Sequence, residues 1–279
     1  MDKFVQRSVS VIREAKASYK NIGVLFSTGK DSVCLLDLIR KSFPGGVVPF
    51  KVIHLDTGEK FPEIYEFRDM IAKKWNLDMI VSRNEEGMKE TSPDKPFECC
   101  MKRKTENLKK VVEKYKFDAL MLGIRRDEHY IRNLERYFSP RDKTMQWHIV
   151  RPKTEEEKRE GDSDFVYQQN VELSGWNLFQ TDFLDAHHIR IHPILHWTEI
   201  DVWEYVRDQK LPINPLYFAK NGKRYRSLGC KPCTKPIDSN ASTIDEIIEE
   251  LQTKKGEERE GRCQDKEQIM RKLRALGYC

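Results

Sequence analysis

Between Val24 and Cys34 the chain reads VLFSTGKDSVC: an apolar run, then Ser27, Thr28, Gly29, Lys30, Asp31 and Ser32 in succession, then VCLLDLIRKSF with helical spacing. A strand, a glycine-containing turn and a helix N-terminus form an anion site, because the first helical N–H groups lack partners within the helix and its dipole adds positive potential there. Hydroxyls, a close backbone approach at glycine and a lysine suit a phosphate. Arg125 and Arg126 follow a second apolar run, DALMLG, and adjacent guanidinium forks suit a tetrahedral oxyanion. Cys99 and Cys100 in PFECCMKRK, with Cys230 and Cys233 in RSLGCKPC, supply four thiols in two pairs. Such a set can hold Zn²⁺ or a 4Fe–4S cluster.

These groups need a frame. Apolar periodicity predicts an opening helix over 3–18, and strand-like runs at 22–26, 50–55, 78–82 and 118–123 alternate with helix-like segments at 32–41, 61–75 and 101–115. Alternation of this kind implies right-handed crossovers and a doubly wound, mostly parallel α/β sheet of Rossmann type, covered on both faces. Ligands in such sheets bind beyond the carboxyl ends of the strands, which puts Asp56, Thr57 and Gly58 beside the first loop and Arg125 and Arg126 at the end of the fourth strand. A helix continuing past Arg126 would place Glu128, Arg132 and Arg136 on one face.

The regularity stops near Tyr137. The reading divides the chain into a nucleotide-binding core (1–141), a charged insertion or lid (142–188), a core completion with the Cys-x-x-Cys loop (189–241) and a helical extension (242–279). In the third part HIRIHPIL is strand-like, and Thr198 caps a helix that buries Trp203 and Val206. Helical pattern returns at 242–253 and 265–276, and no internal repeat is present.

At 279 residues the chain can bury a large core, as one domain with additions or as two smaller ones. Its 50 Lys and Arg against 45 Asp and Glu suit anionic ligands without singling out nucleic acid. No apolar stretch approaches the roughly 18 residues of a membrane span, and MDKFVQRSVS lacks a signal peptide's apolar core. The expectation is a cytoplasmic protein without membrane contact, in which seven Cys are metal ligands or reactive thiols rather than disulfides.

The loop fails the Walker A pattern at two defining places, Val24 and Asp31. It matches S-x-G-x-D-S, and so resembles the PP-loop of the N-type ATP pyrophosphatases, which cleave ATP between its α- and β-phosphates. The resemblance implies nucleotide binding by Ser27, Thr28, Gly29, Lys30, Asp31 and Ser32, with Lys30 supplying charge and Asp31 holding the loop or helping to place Mg²⁺. HLDTGEKFPEIYEF resembles the segment lining the nucleoside site in the sulfate adenylyltransferase small-subunit family and its relatives the phosphosulfate reductases, which implies the same for Asp56, Thr57 and Gly58. The RRDE…R…ER…S.RD pattern resembles the adenylyltransferase subunit more closely, with Arg125 and Arg126 catalytic beside Lys30 and Asp31, and Arg132 and Arg136 as further oxyanion contacts. Cys-Cys followed by basic residues and a distant Cys-x-x-Cys resembles the iron–sulfur form of assimilatory adenylylsulfate reductases. That implies a 4Fe–4S cluster on Cys99, Cys100, Cys230 and Cys233, with zinc as the alternative.

The adenylyltransferase resemblance runs from FSTGKDSVCLLDLIRKSF through PILHWTEIDVWEYV to SNASTIDEIIEEL and the final LGY. It implies an enzyme that uses ATP and Mg²⁺ to adenylylate a small oxyanion, sulfate, within a homo- or hetero-oligomer that includes a GTPase large subunit. Three alternatives stand beside it. An iron–sulfur reductase would form sulfite with thioredoxin, through Cys279 or Cys263 as nucleophile, although the ECGLH-like tail of that family is absent. An ATP pyrophosphatase of DNA phosphorothioation would work with a cysteine desulfurase, which the mild basicity permits but no aromatic-and-basic array indicates. A non-catalytic nucleotide-binding partner protein is the fourth reading, and ATP turnover separates it from the others.

Overall fold

A computed structural model describes residues 1–129, 132, 135–143, 145–146, 150–152, 165–167, 179–183, 186–253, 256, 258–259, 262, 272–273 and 276. Helix α1 (Asp2–Ser18) leads into strand β1 (Ile22–Leu25), α2 (Lys30–Ser42), β2 (Lys51–Asp56), α3 (Pro62–Lys74) and β3 (Met79–Arg83). Two short helices, α4 (Glu85–Glu90) and α5 (Pro96–Cys100), then a π-helical stretch over Met101–Glu106, precede α6 (Asn107–Tyr115) and β4 (Ala119–Met121). Pro62 occupies the first turn of α3, where its missing N–H costs nothing.

The main sheet has six strands in the order β3-β2-β1-β4-β8-β5, where β5 is Phe138–Arg141 and β8 is His188–Ile191. All neighbours are parallel except β5, which runs antiparallel to β8 with Ser139 opposite Arg190. Strands β6 (Val150–Pro152) and β7 (Phe165–Tyr167) form a separate antiparallel ribbon. After β8 come α7 (Glu199–Asp208), a small ribbon of β9 (Lys223–Arg224) and β10 (Ile237–Asp238), and α8 (Ile244–Thr253).

Side-chain alternation along the strands explains the two layers. Val24, Phe26, Val52, Met121 and Ile191 pack on one face with Val11 and Ile12 of α1, Val33 to Ile39 of α2, and Val202 and Trp203 of α7. Leu25, Ile53, Leu120 and Leu122 turn to the other, against Leu108, Val111 and Val112 of α6. Both faces are covered, as a parallel sheet requires.

Two expectations are corrected. Among the described residues after Arg126 none is α-helical: Asp127 and Glu128 form a turn, Arg132 a 3-10 turn, and Phe138–Arg141 is β5, the antiparallel edge that the sequence reading missed. The paired residues Glu128 and Arg132 still meet, but Arg136 does not join them: its carbonyl accepts from His192 Nδ1 at 2.8 Å. Thr198 caps α7 as expected, its Oγ1 accepting from the Asp201 amide at 3.1 Å while Asp201 returns a bond to the Thr198 amide. Most of 142–188, and the helical pattern at 265–276 apart from residues 272–273 and 276, lie outside the described residues.

Candidate active site

The strand order reverses at β1. The chain builds outward through β2 and β3, then returns to place β4 on β1's other side, and the crevice at such a switch point is where doubly wound sheets bind ligands. The loop from Phe26 to Gly29 sits there. Its helix opens with Ser32 Oγ donating to the Gly29 carbonyl at 2.8 Å and Ser27 Oγ accepting from the Gly29 amide at 3.4 Å. Thr28 holds a left-handed φ of +68°, rare for a β-branched residue, and its buried Oγ1 has no hydrogen-bond partner. A strained backbone beside an orphaned hydroxyl is the signature of a site organised for a ligand. Gly123, just after β4, makes this packing feasible, since a Cβ there would stand 3.0 Å from the Asp31 carbonyl carbon and oxygen.

Beneath the loop lies a buried ionic network. Lys30 Nζ reaches Asp31 at 3.2 Å, Glu199 at 3.9 Å and Glu258 in a shorter contact. Arg125 contacts Asp31 at 2.6 Å through Nε and Asp127 at 3.0 Å, and its Nη2 meets the second oxygen of Glu258. Glu258 therefore bridges the two cations that the loop and β4 bring together. Burial works against the charge on Lys30 and Arg125, but the surrounding carboxylates outweigh it and raise both pKa values. Burial likewise opposes ionisation of Glu258, and Arg125 and Lys30 overcome it, pulling its pKa down to about 2. Burial raises Asp127 and Glu199, the latter further pushed by Glu258. The amide of Lys30 donates to Tyr217 Oη at 3.0 Å, and the Glu199 amide at the start of α7 donates to Asp127 at 2.7 Å. Helix α7 and the Glu258 segment are thus tied directly to the loop.

Above this network a cleft of about 1120 Å³, counted out to its open mouth, has three zones. Leu25, Phe26, Ile53, Leu55 and Leu122 give an apolar wall with His54 at its edge. His54 Nδ1 lies 2.9 Å from the Phe26 carbonyl, so the ring donates there, and its Nε2 is buried without a partner. Burial, with Lys60 adding to it, lowers its pKa to about 4, leaving Nε2 an acceptor at neutral pH. The loop zone contains Ser27, Gly29, Asp31, Ser32, Tyr217 and Glu258, and the third zone is basic: Lys60, Lys104, Arg132, Arg259 and Arg262.

Of the residues expected from sequence, Ser27, Gly29, Asp31 and Ser32 line the cleft, while Thr28, Lys30 and Arg125 lie buried immediately behind them. Arg132 lines it; Arg126 and Arg136 do not. Arg126 instead donates to the Glu135 carbonyl at 2.8 Å and lies 3.0 Å from His196 Nε2. Asp56, Thr57 and Gly58 also fall outside the lining. Asp56 accepts from the Gly58 amide at 2.8 Å, Tyr65 Oη at 2.9 Å and Arg83. Glu258, Tyr217, His54, Lys60 and Arg262 were missed. For the first two no local pattern announced them, whereas Lys60 lies only four residues beyond Asp56 in DTGEK.

The four thiols Cys99, Cys100, Cys230 and Cys233 are all buried, at 2–6% exposure. Cys99 and Cys230 lie close enough to perturb each other, and Cys230 Sγ is 3.1 Å from Thr57 Oγ1. Burial opposes ionisation of Cys230, yet Lys104, Lys60 and the Thr57 hydroxyl bring its pKa down to about 6. Among the described residues no three Cys, His, Asp or Glu side chains converge as a single metal ion would require. Arg103, in the π-helical stretch after Cys100, ties this region to the segment after β2 by donating to the Thr57 carbonyl at 3.2 Å and to Glu59 at 3.1 Å. Cys263 and Cys279 lie outside the described residues.

The phosphoadenosine phosphosulfate reductase domain family matches residues 21–236. A protein of Psychromonas ingrahamii called sulfate adenylyltransferase subunit 2 is 36% identical, covering 97% of this chain and 95% of its own length. A Geotalea daltonii protein of the same name is 37% identical with the same coverage. Among solved structures, the Candida glabrata FMN adenylyltransferase in complex with FAD and inorganic pyrophosphate superposes with a TM-score of 0.54 at 16% identity, covering 99% of this chain and 88% of that one. That likeness is one of fold.

Proposed function

Because the chain belongs to the phosphoadenosine phosphosulfate reductase domain family, we propose that it is a nucleotidyltransferase that adenylylates sulfate, releasing pyrophosphate from ATP, as its relatives called sulfate adenylyltransferase subunit 2 are named to do. The observation that carries this reading is the loop at the β1–β4 switch point: a strained Thr28 with an orphaned hydroxyl at the N-terminus of α2, and two buried cations, Lys30 and Arg125, directly behind.

In this reading the adenosine lies against the apolar wall, with His54 Nε2 accepting a hydrogen bond from it. The pyrophosphate lies over Ser27, Gly29 and Ser32. A sulfate oxygen attacks the α-phosphorus in line, and the phosphoanhydride bond to the β-phosphate breaks. The protein's contribution is positioning together with fixed positive charge where negative charge builds up. Lys30 and Arg125 provide that charge, held by Asp31, Asp127 and Glu258. Mg²⁺, which screens the phosphates when bound, has no ready three-carboxylate cage among the described residues. It fits best as an ion carried by ATP and water, with Asp31 as the nearest carboxylate on the cleft.

A 4Fe–4S cluster on Cys99, Cys100, Cys230 and Cys233 belongs to the same proposal. Four buried thiols, with Lys60 and Lys104 favouring the Cys230 thiolate, suit an anionic cluster. Zinc on the same four thiols is the alternative. The word subunit in the relatives' names supports a hetero-oligomer with a larger partner chain, here proposed to be a GTPase, and no helix among the described residues is long and apolar enough to cross a membrane. The test is anaerobic ATP turnover with sulfate, adenylyl sulfate or DNA offered separately. Sulfate-dependent pyrophosphate is expected. Sulfite formed from adenylyl sulfate with reduced thioredoxin would replace this reading by the reductase one.

A further inference from the structure

Tyr217 lines the loop zone of the cleft, and the chain holds it there from several sides. It ends a single 3-10 turn, Pro215–Tyr217, that opens at Asn214. The Asn214 side chain accepts from the Leu216 amide at 3.1 Å and donates to the Glu63 carbonyl at 3.2 Å, which pins the turn to α3. The Tyr217 ring packs edge-on against the buried Trp203 of α7, with centroids 5.2 Å apart at 87°, and Lys30 Nζ stands 5.9 Å from its centroid. The hydroxyl is thereby set against the loop. A Cβ built on Gly29 would lie 3.3 Å from Tyr217 Oη and 3.4 Å from Ser27 Oγ, so these two oxygens flank the gap that the glycine leaves.

The residue is 2% exposed, and its hydroxyl is used in one direction only. Oη accepts from the Lys30 amide at 3.0 Å, but among the described residues its own hydrogen has no acceptor. Burial, then the charges of Asp31 and Glu258, oppose its ionisation, so the phenol keeps its proton at neutral pH. Neither carboxylate accepts from it, because both are held by Lys30 and Arg125. A buried hydroxyl that accepts without donating is uncommon, since its hydrogen then forfeits the bond it would make in water. Here the unused donor stands on the wall of the cleft. We propose that Tyr217 is a further catalytic residue: its hydroxyl donates a hydrogen bond to an oxygen of the pyrophosphate group lying over Gly29, while the Lys30 amide, bonded to the same Oη, fixes where it points. This rests on the adenylylation reading. In that reaction a bond forms between a sulfate oxygen and the α-phosphorus, the bond to the bridging oxygen breaks, and its electron pair leaves with the pyrophosphate. No proton moves at Tyr217; its hydrogen bond strengthens as negative charge builds on the departing group.

The experiment is calorimetric titration of the full chain with magnesium pyrophosphate and, separately, with AMP, which lacks that group. Tyr217→Phe keeps the ring on Trp203 and removes the hydroxyl. It weakens pyrophosphate by about tenfold or more, the loss expected for one hydrogen bond to a charged group, and leaves AMP within about twofold. A second variant carries 3-fluorotyrosine at position 217, which retains the packing while making the phenol a stronger donor and a weaker acceptor. Pyrophosphate binds it more tightly than wild type. An unchanged or weaker affinity in the fluorinated protein overturns the proposal and leaves Tyr217 as a brace for the Lys30 amide, and this arm decides alone if Tyr217→Phe does not fold. Pyrophosphate affinity within about twofold of wild type in Tyr217→Phe also overturns it. So does a parallel loss of AMP, or a wild-type chain that does not bind pyrophosphate. Failure of the adenylylation reading looks different: wild type binds pyrophosphate with the expected response to both variants, yet its release from ATP does not depend on sulfate.

Discussion

Replacing Glu258 by Gln removes one negative charge from the pair Lys30 and Arg125 at nearly constant volume. Breaking a buried ion pair from one side typically costs about 3–5 kcal/mol, because the partner charge is left uncompensated. Here both cations keep other carboxylates, Lys30 at 3.2 Å from Asp31 and Arg125 at 3.0 Å from Asp127, so the cost belongs at the low end. The depressed pKa of Glu258, which the same two cations cause, is of the same order. Its pKa falls from an ordinary 4.5 to about 2, and at about 1.4 kcal/mol per pH unit the difference is about 3 kcal/mol. Because the folded-state value is the lower one, this stability is fully present above the unfolded value and is lost as pH falls through the folded one. The gap between wild type and Glu258→Gln in urea unfolding should be about 3 kcal/mol at pH 7 and shrink to about 2 kcal/mol at pH 3.5. A gap under about 1 kcal/mol at pH 7, or one that does not narrow on acidification, would refute the claim that Glu258 bridges the two cations.

The remaining predictions concern function. Lys30→Ala and Arg125→Ala should each lower turnover by about an order of magnitude or more, whereas Arg126→Ala, whose side chain is spent on His196 and the Glu135 carbonyl, should cost far less; equal losses at Arg125 and Arg126 would show that the cleft is drawn wrongly. His54→Phe keeps the wall apolar and removes the Nε2 acceptor, so the KM for ATP should rise by about tenfold with kcat little changed, and an unaltered KM would remove His54 from the nucleoside site. Anaerobically purified protein should be brown, with iron and sulfide each about four per chain, and Cys230→Ser should abolish the colour. Colourless wild-type protein with stoichiometric zinc would end the cluster assignment.

The tail segment around Glu258 links the predictions to the proposed chemistry. Its carboxylate neutralises the loop's two cations, while Arg262, three residues beyond Arg259, adds charge at the far end of the same cleft. One short stretch of chain therefore places charge at both ends of the cleft.

Local sequence determined the elements and the anion loop, because both depend on short-range physics: apolar periodicity, a glycine turn feeding a helix N-terminus, a capping threonine. Strands near 22–26, 50–55, 78–82 and 118–123, helices near 32–41 and 61–75, and the Thr198 cap were all legible in this way. Where a side chain points after its strand ends was not legible. Arg125 and Arg126 look interchangeable in sequence, yet one is buried against Asp31 and the other turns to His196. Asp56 reads from sequence as a ligand contact, and nothing local announces that its carboxylate accepts from Tyr65 and Arg83. The deepest gap is Glu258, which sits 228 residues from Lys30, beyond the reach of any local pattern. Only the tertiary structure could bring that carboxylate to two cations that follow different strands, since low dielectric and burial, rather than sequence proximity, make the pairing obligatory.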